Sequence, residues 1–239
     1  MSLIDALGHV RDSALGTQPP ISTAVVAGTG ALALMLMTRS VWPRSRHLVT
    51  IAHEGAHGVV AMLSGRKLAG IRLHSDTSGL TLSRGRPTGP GMVLTAAAGY
   101  VGPGLMGLGA ARLVSSGHAV GMLWLTLLLL AALLLQIRNF YGLYAVLVVG
   151  VGVFALSWWA SPTTQVVLAH VGTWFVLLAA PRAVLELRAQ RRAGRARTSD
   201  ADVLARLTRV PGGVWVGVFL LVSLGALFLG ADWLLAASR

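Results

Sequence analysis

Apolar residues are gathered into seven long segments that polar stretches separate. Most segments have about the 17–25 residues that a helix needs to cross a bilayer. The pattern therefore predicts an all-α polytopic membrane protein with about 6–7 transmembrane helices. The second segment is the shortest and least apolar, as expected of a helix enclosed by others around a polar site. The segments are 21–37, 47–63, 91–113, 119–137, 140–159, 163–180 and 214–235.

Two polar stretches carry much of the positive charge. In 64–90, apolar and polar residues alternate on either side of Ser75-Asp76-Thr77-Ser78-Gly79, which predicts a short β-hairpin. In 181–213, eight arginines predict a basic cytoplasmic linker, because positive charge accumulates on that side of a membrane.

The number of spans sets the expected orientation of the two chain ends. Counting all seven segments outward from the basic linker predicts a cytoplasmic N-terminus and an external C-terminus. Residues 1–20 are expected to form a polar tail, and 21–239 one integral membrane domain. Arg39, Arg44 and Arg46 would then face outward, against the tendency that orients the rest of the chain.

The composition agrees with a membrane protein and excludes several kinds of chemistry. Hydrophobic residues make up 54% of the 239 residues and charged residues 12%, about half the charged share of soluble domains. The absence of cysteine excludes disulfides, thiolate catalysis and cysteine-bound zinc. Much of the net charge of +12 is arginine beside apolar segments, which indicates a lipid bilayer as partner. No nucleic-acid motif accompanies this charge, so no nucleic-acid partner is expected.

The pentapeptide His53-Glu54-Gly55-Ala56-His57 lies near the start of the second segment. Histidines four residues apart share one face of a helix, so both can bind one Zn²⁺, and the glutamate between them can act as a general base. Only two glutamates occur in the chain, so a chance occurrence of this motif is rare. A pair of hydrogen-bonded histidines with Glu54 as a buried partner is the structural alternative. An uncompensated glutamate in a membrane is costly, however, and such residues are usually functional.

A catalytic zinc needs a third protein ligand, and the sequence leaves two aspartates for it. Leu63 occupies the position where one class of soluble protease has a third histidine. Glu186 lies in an arginine-rich run and is more typical of a salt-bridged surface residue. The aspartate of the hairpin is explained by turn chemistry. Asp200 and Asp202 remain, and acidic residues there also suit the first turn of a short helix predicted over 200–207.

Several strings in the chain match a known family in the expected order. His-Glu-Gly-Ala-His early in a membrane helix, followed by Leu-Ser-Gly-Arg and a hairpin, resembles the site-2 protease family of intramembrane zinc metallopeptidases. The likeness is greatest to its divergent bacterial and plant peptidase-like branch and covers about residues 48–235. Further matches are Ala98-Gly99-Tyr100-Val101-Gly102, Arg138-Asn139-Phe140-Tyr141-Gly142 and Ser199-Asp200-Ala201.

This resemblance implies a zinc metalloprotease that hydrolyses peptide bonds of transmembrane protein substrates within a bacterial plasma membrane. In the family the third ligand is an aspartate from a later helix, which by motif order is Asp200, with Asp202 in reserve. His53, His57 and Asp200 would hold the zinc, and Glu54 would act as the general base. The string Asn-x-x-Pro-x-x-Pro-Leu-Asp-Gly of the better-studied branches is absent.

Two further features are candidates for substrate binding. An exposed edge of the hairpin, at about 68–84, could pair with an unwound substrate strand through main-chain hydrogen bonds; otherwise the hairpin is only structural. Asn139 could hold a substrate backbone group or orient the site; otherwise it marks the membrane interface at the start of the fifth segment.

Two other functions compete with the protease. A pseudoprotease would bind membrane helices without cleaving them, but the intact Glu54 argues against it. A metal transporter would use the histidines and aspartates as a transit site, but no other segment places such residues at mid-membrane.

Overall fold

The chain folds into α-helices and one small antiparallel hairpin in a computed structural model that describes residues 2–196 and 198–238. All seven apolar segments are helical, and the predicted fold class is confirmed. Four helices (α4, α6, α7 and α9) are long and apolar enough to cross a membrane, and α2 and α5 are shorter apolar helices. The elements are α1 (Leu3–Leu15), α2 (Thr23–Met35), α3 (Trp42–Leu63), β1 (Lys67–Leu73), β2 (Gly79–Arg84), α4 (Pro90–Ser115), α5 (Ala119–Leu134), α6 (Phe140–Trp159), α7 (Pro162–Arg192), α8 (Asp200–Thr208) and α9 (Gly212–Ala236).

Both described chain ends lie at the same end of the helix bundle. The Ser238 hydroxyl donates to the Thr23 hydroxyl at 3.0 Å, which joins the end of α9 to the start of α2. Helix α1 packs beside the start of α5, where the Trp124 indole donates to the Ser13 hydroxyl at 3.1 Å. We call this the terminal end, and the opposite end, which carries Arg182 to Arg192, the basic end. Helices α2, α4, α5, α6, α7 and α9 run between the two ends.

Helix α3 does not join the two ends, because both of its own ends lie at the basic end. At its start, the Trp42 indole donates to Glu186 of α7 at 2.5 Å. After its last turn, Ser64 lies against Gly91 at the start of α4. Glu186 is 24 residues from the start of α7 (162 to 186) and Gly91 is 24 residues from the end of α4 (91 to 115). Both contacts therefore lie about 36 Å from the terminal end, at 1.5 Å per residue.

The sequence predicted seven segments that run between the two sides of the membrane, but α3 does not run between the two ends of the bundle. Six helices connect the two ends of the described chain, so the chain ends lie on one side and not on opposite sides. Arg39 lies in the α2–α3 turn and Arg44 and Arg46 lie at the start of α3, at the basic end beside α7. These arginines therefore share a side with the other arginine clusters, and the apparent exception to the charge bias disappears.

The polar tail predicted at 1–20 and the basic linker predicted at 181–213 are both partly helical. The N-terminal tail folds into α1, and α7 continues through Pro181 to Arg192. The short helix predicted over 200–207 is α8, Asp200–Thr208.

The hairpin lies along α3, and the α5–α6 turn covers one of its two edges. Ile71 and Leu73 of β1 are fully buried among α3, α5 and α6. The outer edge of β1 is covered by the α5–α6 turn, since Ile71 N–H donates to Gln136 O at 2.8 Å and Arg138 N–H to Ile71 O at 2.9 Å. The close approach of Arg138 requires Gly70, which has a φ of +147°. None of the described segments pairs with the opposite edge, along β2.

Candidate metal centre

Three side chains meet at a single point between α3, α4 and α8. His53 and His57 lie one turn apart on α3, and their Nε2 atoms are 3.1 Å apart. Asp200, the first residue of α8, places Oδ2 3.2 Å from His53 Nε2 and 3.3 Å from His57 Nε2. The structure thus brings together the three residues that the resemblance implies as metal ligands.

The start of α8 decides which aspartate reaches the histidines. Ser199 is the N-cap, and its N–H donates to Asp202 Oδ2 at 3.1 Å in a capping box. Arg191 at the end of α7 binds both Ser199 and Asp202. Burial raises the pKa of Asp202, but hydrogen bonds from Ser199 and Arg191 outweigh it and hold that pKa below its usual value. Asp202 is thereby committed to the cap, and only Asp200 faces the histidines.

The geometry of the three ligand atoms fits a tetrahedral metal ion. Zinc bonds of about 2.0–2.1 Å at tetrahedral angles place ligand atoms about 3.3 Å apart. The three observed separations are 3.1, 3.2 and 3.3 Å. His57 Nδ1 donates to Thr95 O at 2.6 Å, which orients the ring and leaves Nε2 free to bind a metal. Two histidines and a carboxylate form a donor set that suits zinc.

Gly99 of α4 provides the space beside the ligand atoms. A β-carbon at this position would overlap Nε2 of both His53 and His57. Only glycine lets the α4 backbone approach the histidine pair this closely. Tyr100 follows Gly99, and its ring packs edge-on against His53 with the ring centroids 4.7 Å apart.

Glu54 lies beside the three candidate metal ligands and is held by the hairpin. Its side chain is 4% exposed, and its Oε2 accepts a hydrogen bond from the Thr81 hydroxyl at 2.6 Å. Gly79 of β2 packs directly on the carboxylate, where a β-carbon would overlap it. The hairpin therefore fixes the orientation of Glu54. Thr81, Thr95 and the role of Gly99 were missed in the sequence because each contact joins residues distant along the chain.

The candidate metal ligands and Glu54 line a cavity of about 430 Å³. It lies between α3, the hairpin, α4 and the start of α8, and its lining is mostly polar. Besides the ligands, the residues that shape it include Arg46, Thr50, Thr77, Tyr100 and Val203. Glu54 and the three candidate metal ligands therefore share one polar cavity.

Asn139 and Glu186 lie outside this cavity. Asn139 Nδ2 donates to Leu73 O at 2.7 Å, and its Oδ1 accepts from Leu73 N–H at 3.2 Å. The side-chain amide therefore pairs with β1 in the way that the backbone of a neighbouring strand would. Asn139 therefore holds β1 from its outer edge and does not line the cavity, and its proposed role in substrate binding stays a prediction. Glu186 is salt-bridged to Arg46 at 3.1 Å and to Arg182 at 3.5 Å, as predicted for a surface carboxylate.

The family model described as Peptidase M50B-like matches residues 25–230, which include α3, the hairpin and Asp200. No curated protein and no solved structure matches the chain. The family match covers most of the chain, in agreement with the site-2 protease resemblance of its zinc motif. The chain therefore belongs to the Peptidase M50B-like family.

Proposed function

We propose that the protein is an intramembrane zinc metalloprotease that hydrolyses peptide bonds of membrane-embedded protein substrates. The observation that carries this proposal is the triangle of His53, His57 and Asp200 beside Glu54 in one polar cavity. A membrane protein would not bury Glu54 without a function or a compensating charge, because a lone carboxylate in a membrane is unfavourable.

Each side chain of the site has a distinct role in this proposal. His53, His57 and Asp200 hold the metal, and Thr95 fixes the ring of His57 through its carbonyl oxygen. Zinc bound there supplies a Lewis acid and lowers the pKa of water to about 7. Glu54 accepts the proton of the attacking water and delivers it to the leaving amine.

The free edge of β2 is a suitable docking surface for an unwound substrate segment. Ile71, the cross-strand partner of Thr81, directs its main-chain groups to the α5–α6 turn and not to β2. Thr81 therefore directs its own N–H and C=O to the free side of β2, where none of the described segments pairs with it. A substrate strand added there would lie next to Glu54, which Thr81 contacts directly.

Metal removal tests this proposal. We expect 1,10-phenanthroline to abolish cleavage of a membrane-spanning peptide by the protein in liposomes, and stoichiometric Zn²⁺ to restore it. Elemental analysis of the same samples measures zinc content. Undiminished cleavage by protein shown to contain no metal would exclude zinc-dependent hydrolysis.

We further propose that the basic end faces the cytoplasm of a bacterial plasma membrane and that both chain ends face outward. The arginine clusters of the α2–α3 turn, the hairpin and α7 all lie at the basic end, which the positive-inside tendency assigns to the cytoplasm. The metal centre then opens toward the cytoplasmic half of the membrane.

Single cysteines in this cysteine-free chain test the orientation directly. We expect a membrane-impermeant maleimide to label Ala237→Cys in intact cells, but not Ser40→Cys or Ala193→Cys, because the last two lie at the basic end. Inverted vesicles should show the opposite pattern. Labelling of Ser40→Cys from outside would instead support the seven-span topology, in which α3 crosses the membrane.

A further inference from the structure

Arg46 belongs to the same face of α3 as the metal ligands. Arg46, Thr50, His53 and His57 are spaced by four, three and four residues, which places them in one stripe along the helix. All four line the site cavity. Among the described residues, Arg46 is the only lysine or arginine that does so.

The charge of Arg46 is only partly compensated. Its Nε lies 3.1 Å from Glu186, and its Nη1 donates to the Thr77 hydroxyl. Glu186 also binds Arg182, so two guanidinium groups share one carboxylate and the cluster has an excess positive charge. Arg182 has other contacts, stacking over the Trp42 ring at 4.0 Å and donating to Met37 O.

One nitrogen of Arg46 remains available for a ligand. Nη2 has no hydrogen-bond partner among the described residues, and the side chain is 31% exposed at the cavity. Its anchors, Glu186 and Thr77, hold the guanidinium in place, so little conformational entropy is lost when a ligand binds. A charge-assisted hydrogen bond from Nη2 to a carboxylate is stronger than one to a neutral carbonyl.

The position of Arg46 also fits the path proposed for the substrate. Seven residues of helix separate Arg46 from His53, which is about 10 Å at 1.5 Å per residue. An extended chain covers that distance in about three residues. Thr77, which Arg46 contacts, precedes Gly79 at the start of β2, so Arg46 lies at one end of the free strand edge.

We infer that Arg46 forms a subsite for an acidic side chain of the substrate, about three residues to one side of the cleaved bond. The inference rests on the proposed protease function and narrows its substrates to membrane segments with an aspartate or glutamate at that place. An unpaired carboxylate in a membrane is costly, so pairing with Arg46 favours binding of such segments in this cavity.

A peptide series with a single Asp or Asn tests the subsite. The probes are membrane-spanning peptides in liposomes. Each peptide carries one Asp or one Asn near the cut, and the series moves this residue through successive positions. We expect kcat/KM to favour Asp over Asn by about tenfold or more at one position about three residues from the cut. In Arg46→Gln this ratio should fall to about one, while Arg46→Lys should retain part of it.

Arg44→Gln is the matched control, because Arg44 is an exposed arginine of the same helix whose side chain, among the described residues, donates only to Ser40 O. It should leave the Asp/Asn ratio unchanged. An equal loss of activity on both peptides in Arg46→Gln would show that Arg46 only supports the hairpin, and would overturn the subsite. So would an equal loss that depends on phosphatidylglycerol in the liposomes, since it would assign Arg46 to lipid headgroups.

Binding of the same peptides to Glu54→Gln protein separates this inference from the proposed function. If wild-type protein cleaves neither peptide but the Glu54→Gln protein binds Asp more tightly than Asn, the protease fails and the subsite stands. If cleavage occurs without any preference for Asp in wild-type protein, the protease stands and the subsite fails.

Discussion

Glu54→Gln is expected to lower kcat for peptide hydrolysis by roughly 10²–10⁴-fold, the usual contribution of a general base, while the protein still binds zinc. Glutamine has the shape of glutamate, so the Thr81 hydroxyl can still donate to it and β2 stays in place. The three metal ligands do not include Glu54, so zinc content should not change. The measurement combines initial rates in liposomes with elemental analysis of the same preparation.

Glu186→Gln is the control, because Glu186 is the only other glutamate and lies outside the cavity. Because Glu186 also anchors Arg46, the comparison uses a peptide without an acidic residue, on which Glu186→Gln should retain most of the kcat that Glu54→Gln loses. A metal transporter would behave differently, because zinc flux depends on the ligands and should survive Glu54→Gln. A zinc-loaded wild-type protein that cleaves no membrane peptide would favour the pseudoprotease.

Helix positions could be predicted from the sequence, but the placement of α3 could not. Apolar segments of suitable length are helical because a membrane leaves backbone groups no other partners. The same reasoning assumes that each such segment crosses the bilayer, whereas both ends of α3 lie at the basic end of the bundle. Its Arg46, His53, Glu54 and His57 lower its hydropathy, and contacts with α4 and α7 hold it at the basic end. Those contacts join distant parts of the chain. In the sequence, only the three arginines before and within α3 indicated that this region lies on the same side as the other basic clusters.

The choice between Asp200 and Asp202 shows a second limit of the sequence. Residues two apart on a helix point about 200° apart, so only one of the two can face the histidines. Both suit the first turn of α8, and in the sequence only the motif order of the resembling family favours Asp200. The distinction depends on Arg191, whose contacts with Ser199 and Asp202 set the rotation of α8. The contact of Asn139 could not be predicted from the sequence either, since its partner Leu73 is 66 residues away.

Gly99→Ala is expected to weaken zinc binding as strongly as Asp200→Ala does, although Gly99 supplies no ligand. The added methyl group would overlap Nε2 of both His53 and His57, so the histidines cannot keep the observed triangle with Asp200. Losses of zinc affinity of about 10–100-fold follow from far smaller disturbances around a metal site. Helix instability cannot account for the loss, because alanine favours a helix over glycine by about 1 kcal/mol.

Gly109→Ala is the matched control for this substitution. Gly109 lies on the same helix, α4, and a β-carbon there would meet nothing within 4 Å. Zinc affinity, measured by competition with a fluorescent chelator, should be unchanged in Gly109→Ala and lost in Gly99→Ala, with thermal unfolding showing both proteins to be folded. Wild-type affinity in folded Gly99→Ala would place the zinc away from these three ligands and leave Glu54 without a metal to act beside.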